Sequence, residues 1–201
     1  MISQEDWLTM DAYEAKRKKY ANEGGMNLPN RLTTLRMILV PVFVLFMYLQ
    51  FPFHRVIALL IFIIASLTDT ADGYIARKYK LITDFGKFMD PLADKLLVCS
   101  ALICLVGSGE IPAWVTIIIV GREFVISGFR LIASDNGIVI AASYWGKFKT
   151  VSQMAMIIVI LLDIAVLRPL EIVLIIVATC LTVISLIDYL VKNKNVLSSQ
   201  K

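Results

Sequence analysis

Six apolar stretches, 31–50, 55–77, 88–107, 112–133, 144–166 and 169–191, take up most of the 201-residue chain. Each reaches the roughly 20 residues a helix needs to cross a hydrocarbon core about 30 Å thick. With 58% hydrophobic residues, the chain exceeds the apolar share of roughly half that is usual for soluble domains. It therefore reads as an all-α integral membrane protein of six transmembrane helices. The first span is eased or kinked at Pro41, because proline removes an intrahelical hydrogen bond. Short polar punctuators such as "GSGEIP" and "SDNG" separate the runs, which leaves room for turns but not for linkers. The length suits one domain, divided here into an N-terminal extension, 1–25, and a membrane domain, 26–201.

Charge sets the orientation. With the N-terminus inside, the basic segments 16–19, 77–80, 147–149 and 192–201, with Arg31, Arg36, Lys87 and Arg130, share the cytoplasmic side, and only Arg55 and Arg168 fall outside. That asymmetry predicts a multi-pass protein of the cytoplasmic membrane with both termini in the cytoplasm. The first apolar run is long enough to span and has no small-residue cleavage site after it, so it is expected to remain as a helix rather than be removed as a signal peptide. The net charge of +4 favours anionic headgroups or phosphorylated substrates, and no nucleic-acid motif is present. Cys99, Cys104 and Cys180 lack metal or disulfide spacing and read as small core hydrophobes. In the extension, Trp7, Met10 and Tyr13 make a weak apolar stripe. A short interfacial helix and a polar lead are both open there.

The segment "SLTDTADGYIARKYKLITDFGKFMDPLADK", 66–95, places four carboxylates at the ends of two apolar runs. Asp69 and Asp72 are three apart and Asp90 and Asp94 four apart, so each pair shares a helix face. The short link between them, roughly 78–87, with Asp84 as a solvated loop residue, makes the two helices neighbours. Ionised groups in a span cost about 2.5–3.5 kcal/mol each even on the lenient insertion scale, so a cation has to offset them. Arg77 and Lys95 are candidates, and a cluster of oxygen donors also suits Mg2+ or Mn2+. Gly73 and Gly86 leave room for a close approach of backbone or substrate. The competing reading is a set of helix-end carboxylates paired with nearby lysines.

These residues resemble the signature of the CDP-alcohol phosphotransferase family, Asp-x2-Asp-Gly-x2-Ala-Arg-x8-Gly-x3-Asp-x3-Asp, at Asp69, Asp72, Gly73, Ala76, Arg77, Gly86, Asp90 and Asp94. The resemblance implies transfer of a phosphatidyl or similar group from a CDP-linked donor to an alcohol, with release of CMP. It implies that Asp69, Asp72 and Asp90, helped by Asp94, hold two divalent ions, Mg2+ or Mn2+. Asp94, with Asp90, would serve the acceptor hydroxyl as base, and Gly73, Arg77 and Gly86 would contact the CDP part. Members are commonly homodimers.

Two further blocks bear on the acceptor. "NLPNRLTTLR", 27–36, is similar to the start of the family's phosphatidylglycerophosphate synthase branch, where Pro29, Asn30, Thr33 and Arg36 would lie beside the nucleotide. The same residues also read as a helix start, with Asn30 as cap and Arg36 snorkelling. Arg122 and Arg130 in "GREFVISGFR" and Lys147 and Lys149 in "GKFKT" form a basic set suited to an acceptor phosphate. Arg122 is embedded in an apolar run beside Glu123, which is expected on another side of the helix. A structural ion pair with Glu123 or one of the motif aspartates stays open for Arg122, and a topology signal for the two lysines. Together the blocks imply CDP-diacylglycerol as donor, sn-glycerol 3-phosphate as acceptor and the bilayer as setting. Synthases using another alcohol, such as those of cardiolipin, phosphatidylinositol phosphate or phosphatidylserine, remain alternatives. So does a divalent-cation transporter, since intramembrane carboxylates also mark ion pathways.

Overall fold

Asn27 starts the first helix by accepting, through its side-chain oxygen, the Asn30 amide at 3.1 Å, and a proline follows within the first turn. Cap and proline together settle donors that the helix start leaves unpaired. The computed structural model describes residues 27–79, 81, 83–135 and 143–193, with Tyr13, Glu14 and Arg17. The side chains of residues 77, 84–88, 90, 91, 134 and 135 fall outside that description.

Six long helices make up the described chain: α1 (Leu28–Tyr48), α2 (His54–Lys78), α3 (Asp84–Gly107), α4 (Ala113–Asp135), α5 (Tyr144–Leu162) and α6 (Arg168–Lys192), with a 3-10 turn at Ala165–Leu167. Among the described residues, α1, α2, α5 and α6 are long and apolar enough to cross a membrane. The other two carry more charge: Asp90, Asp94 and Lys95 lie on α3, and Arg122, Glu123 and Arg130 on α4. Pro41 sits inside α1 without ending it. Two expected boundaries move. Asp84, read as a loop residue, is the first residue of α3, so the link after α2 is shorter than expected. The fifth helix stops at Leu162 rather than 166, because Asp163 turns into the left-handed region at φ 50°.

The chain divides into two units, Met1–Ser100 and Ala101–Lys201. In the first, α1 packs on α2 through Phe43 and Phe62, both fully buried with ring centroids 5.9 Å apart. The link after α2 is laced to the start of α1: Asn27 Nδ2 donates to the Leu81 carbonyl at 3.1 Å, and Thr83 Oγ1 donates to Asn30 Oδ1 at 2.8 Å. Those two bonds fix where the motif helix ends. Tyr13 of the extension stacks on Tyr79 at 5.6 Å, and its hydroxyl reaches the Lys78 carbonyl at 3.4 Å; Trp7 and Met10 lie outside the described residues.

In the second unit, α6 shows which way the helices face. Its buried residues are Ala178, Thr179, Thr182, Ser185 and Tyr189, whereas Ile172, Ile176, Val183, Ile187 and Val191 are exposed. Small and polar side chains inward with branched apolar ones outward is the pattern of a helix whose outer solvent is lipid. Phe129 meets Tyr189 edge-on at 5.9 Å within a core of Ile126, Phe129, Ala133 and Tyr189. Of the cysteines, Cys104 is buried as expected. Cys180 is exposed, so it is not a core residue.

Candidate active site

The α2 carboxylates do come together. Asp69 and Asp72, one turn apart, both face Arg36 of α1: Nη1 lies 2.6 Å from Asp69 Oδ1 and Nη2 lies 2.5 Å from Asp72 Oδ2. Arg36 is wholly buried and Asp72 is 2% exposed, while the Asp69 side chain keeps 38% of its surface open. The Nη2 contact is a hydrogen bond. The Nη1 contact is ionic only, and neither Nη1 nor Nε has a hydrogen-bond partner among the described residues. Thr33 Oγ1 donates to the Pro29 carbonyl at 3.1 Å and lies 3.4 Å from Asp72 Oδ2. The "NLPN" block therefore braces the motif from the neighbouring helix. Arg36 does not snorkel: it points into the bundle, as the counter-ion of two motif aspartates.

The remaining motif positions divide between the helices. Gly73 lies on α2, and Asp94 is exposed on α3. Arg77, Gly86 and Asp90 have helical backbones, but the Arg77 and Asp90 side chains lie outside the described residues. Among the described residues no three acidic, histidine or cysteine side chains gather as a metal cluster; the pair that gathers is Asp69 and Asp72. That pair fits a hard divalent ion. It offers only oxygen donors from adjacent turns, both turned to the Arg36 guanidinium, and hard ions take oxygen donors of this kind. Among the described residues, Asp69 and Asp72 are the two that would hold such an ion.

A second polar cluster lies in the other unit. Arg122 and Glu123 come from α4, Lys149 from α5 and Ser185 from α6. Glu123 Oε1 accepts from Arg122 Nη1 at 3.0 Å and from Lys149 Nζ at 2.5 Å. Arg122 Nε donates to Ser185 Oγ at 3.1 Å. Lys149 is 2% exposed, an expensive place for an ammonium unless it is paired. Two of the four expected acceptor residues, Arg122 and Lys149, are thus joined. Arg130 and Lys147 are not part of this cluster: both are exposed, Arg130 over the Tyr189 ring at 5.9 Å and Lys147 over the Tyr144 ring at 5.5 Å.

Glu123 corrects an expectation. Adjacent positions on a helix diverge, but the long Arg122 side chain folds back to reach its neighbour. The ion pair of Arg122 with Glu123, left open by the sequence, is the one the structure has. Ser185 had no role in the sequence reading, and nothing in the sequence marks it.

A family model described as CDP-alcohol phosphatidyltransferase matches residues 26–184. The chain belongs to the CDP-alcohol phosphatidyltransferase family. Curated relatives of this family member agree in their names. A CDP-diacylglycerol–glycerol-3-phosphate 3-phosphatidyltransferase of Bacillus subtilis is 47% identical over 139 residues, covering 63% of this chain and 72% of its own. A probable phosphatidylglycerophosphate synthase of Mycobacterium tuberculosis is 42% identical over 172 residues, covering 83% and 81%. The Haemophilus influenzae protein that carries the first of these names is 45% identical over 133 residues, covering 64% and 71%. The family segment begins at Met26, after the extension, and includes every motif carboxylate together with Arg36, Arg122, Glu123 and Lys149.

Proposed function

We propose that this family member transfers the phosphatidyl group of CDP-diacylglycerol to sn-glycerol 3-phosphate, giving phosphatidylglycerophosphate and CMP. It does so in the cytoplasmic membrane, as a homodimer whose 26–201 domain crosses six times with both termini inside. The observation that carries the reaction is the convergence of Asp69 and Asp72 on one buried cation within the family segment. The relatives' names support the choice of acceptor, as does the pairing of a part-buried Arg122 with a buried Lys149.

Two Mg2+ or Mn2+ ions held by Asp69, Asp72, Asp90 and Asp94 would neutralise charge on the diphosphate and on the departing CMP. The chain's own groups do the rest. Arg36 and Thr33 hold the α2 carboxylates in register. Gly73, Arg77 and Gly86, with Pro29 and Asn30 at the start of α1, border the CDP part. Asp94, exposed and so within reach of a water-soluble alcohol, takes the proton of the acceptor hydroxyl, with Asp90 beside it in sequence by one helical turn. Arg122 and Lys149 receive the acceptor's phosphate, and Arg130 and Lys147 draw the anion toward the membrane surface.

The purified protein in detergent, given CDP-diacylglycerol and Mg2+ or Mn2+, is expected to release CMP only when glycerol 3-phosphate is present, and Asp94→Asn to abolish that release. Release that requires a different alcohol refutes the acceptor. No release with any alcohol, together with divalent-ion uptake into vesicles, refutes the transferase.

A further inference from the structure

The Arg122 cluster has more built into it than an ion pair needs. Both cations bond the same oxygen of Glu123, so one carboxylate serves two positive groups. Arg122 is also held on two of its three nitrogens, Nε by Ser185 and Nη1 by Glu123, and Nη2 has no hydrogen bond among the described residues. Gly146 leaves the space for that edge: a Cβ there would come within 3.3 Å of Nη2. The guanidinium is fixed in orientation with one edge spared.

We propose that Glu123 is a positioning residue for the acceptor. It clamps Arg122 and Lys149 side by side as a preset receiver for the dianionic phosphate of the alcohol, without touching the substrate itself. Holding two long, flexible cations in place before binding lowers the ordering cost of capturing a phosphate, and a guanidinium edge beside an ammonium matches phosphate oxygens. This inference rests on the acceptor reading above.

The test measures KM for glycerol 3-phosphate, KM for CDP-diacylglycerol, kcat and thermal stability in detergent for Glu123→Ala, Glu123→Gln and Glu123→Asp, alongside Arg122→Gln and Lys149→Gln. Glu123→Ala is expected to raise the acceptor KM about tenfold or more, leaving the donor KM within about twofold, since the lost interaction orders only the acceptor site. Glu123→Asp, which keeps the bridging charge, recovers part of the effect, and Glu123→Gln, which keeps the shape and one acceptor oxygen, lies between. If Glu123→Ala does not fold, the Gln and Asp variants carry the same comparison. An unchanged acceptor KM overturns the proposal. So does a lowered one, the outcome if only the count of charges mattered, and so does a fall in kcat and stability with both KM values unmoved. If Arg122→Gln and Lys149→Gln raise the acceptor KM but no Glu123 variant does, positioning is wrong and the acceptor reading stands. If none of the five moves it, the acceptor reading fails and takes the positioning role with it.

Discussion

Arg36→Met tests whether the motif carboxylates need their buried counter-ion. Methionine keeps most of the side-chain length and apolar volume of arginine but removes the charge, so packing against α2 changes little while Asp72 loses the Arg36 guanidinium. Asp72 is 2% exposed, and breaking a buried pair from one side typically costs about 3–5 kcal/mol, because a charge is left uncompensated. Asp69 adds little: its side chain is 38% exposed, and solvent screens a pair of that kind to well under about 1 kcal/mol. On the scaling for domains of 150–250 residues, about 2–4 °C per kcal/mol, the expected fall in Tm is about 6–20 °C. Thermal unfolding in detergent reads it directly.

Two comparisons separate the charge argument from general damage. The double variant Arg36→Met with Asp72→Asn removes both charges, and it is expected to recover most of the lost stability, since a neutral pair leaves no stranded ion. Added Mg2+ or Mn2+ is expected to raise the Tm of Arg36→Met more than monovalent salt of equal ionic strength, because a divalent ion replaces the missing counter-charge at the carboxylates. A single variant within about 2 °C of the parent, on the same scaling, or a double variant no better than the single one, would refute the counter-ion role of Arg36.

Three further outcomes follow from the same structure. Phe62→Ala, which empties a wholly buried position packed on Phe43, should destabilise the protein by about 3–5 kcal/mol, whereas Leu60→Ala, on the exposed side of the same helix, should cost less than about 1 kcal/mol; paired melting curves check both. Chelation with EDTA should stop CMP release and excess Mg2+ or Mn2+ restore it, with Asp94→Asn inactive under both conditions although its melting curve matches the parent. Gly146→Ala, whose Cβ would press on Arg122 Nη2 at 3.3 Å, should raise the acceptor KM several-fold at unchanged donor KM, measured by CMP release.

The helices were legible because the bilayer leaves a chain few choices: runs of about 20 apolar residues have to be helical there, and six long helices stand where six runs were read. Their ends were less legible: Asp163 answers to cap geometry and not to apolarity, and the third helix starts at Asp84, ahead of its apolar run. For the site, the spacing of Asp69 and Asp72 fixed a shared face, because both belong to one helix of known period. Their partner could not be found that way. Arg36 sits 36 residues from Asp72, and no periodicity relates two different helices, so a buried counter-ion and a snorkelling arginine look the same in sequence. The pairing of Glu123 with Arg122 stayed undecided for a related reason: helix geometry places Cα atoms, but the reach of an arginine side chain exceeds the separation between adjacent faces. Arg130 and Lys147 share the sign of Arg122 and Lys149 and are exposed elsewhere, so charge identifies the candidates for anion binding without saying which of them face the same carboxylate. In an apolar bundle each buried ion has to find an opposite one, and that pairing, more than composition, decides which charged residues form a site.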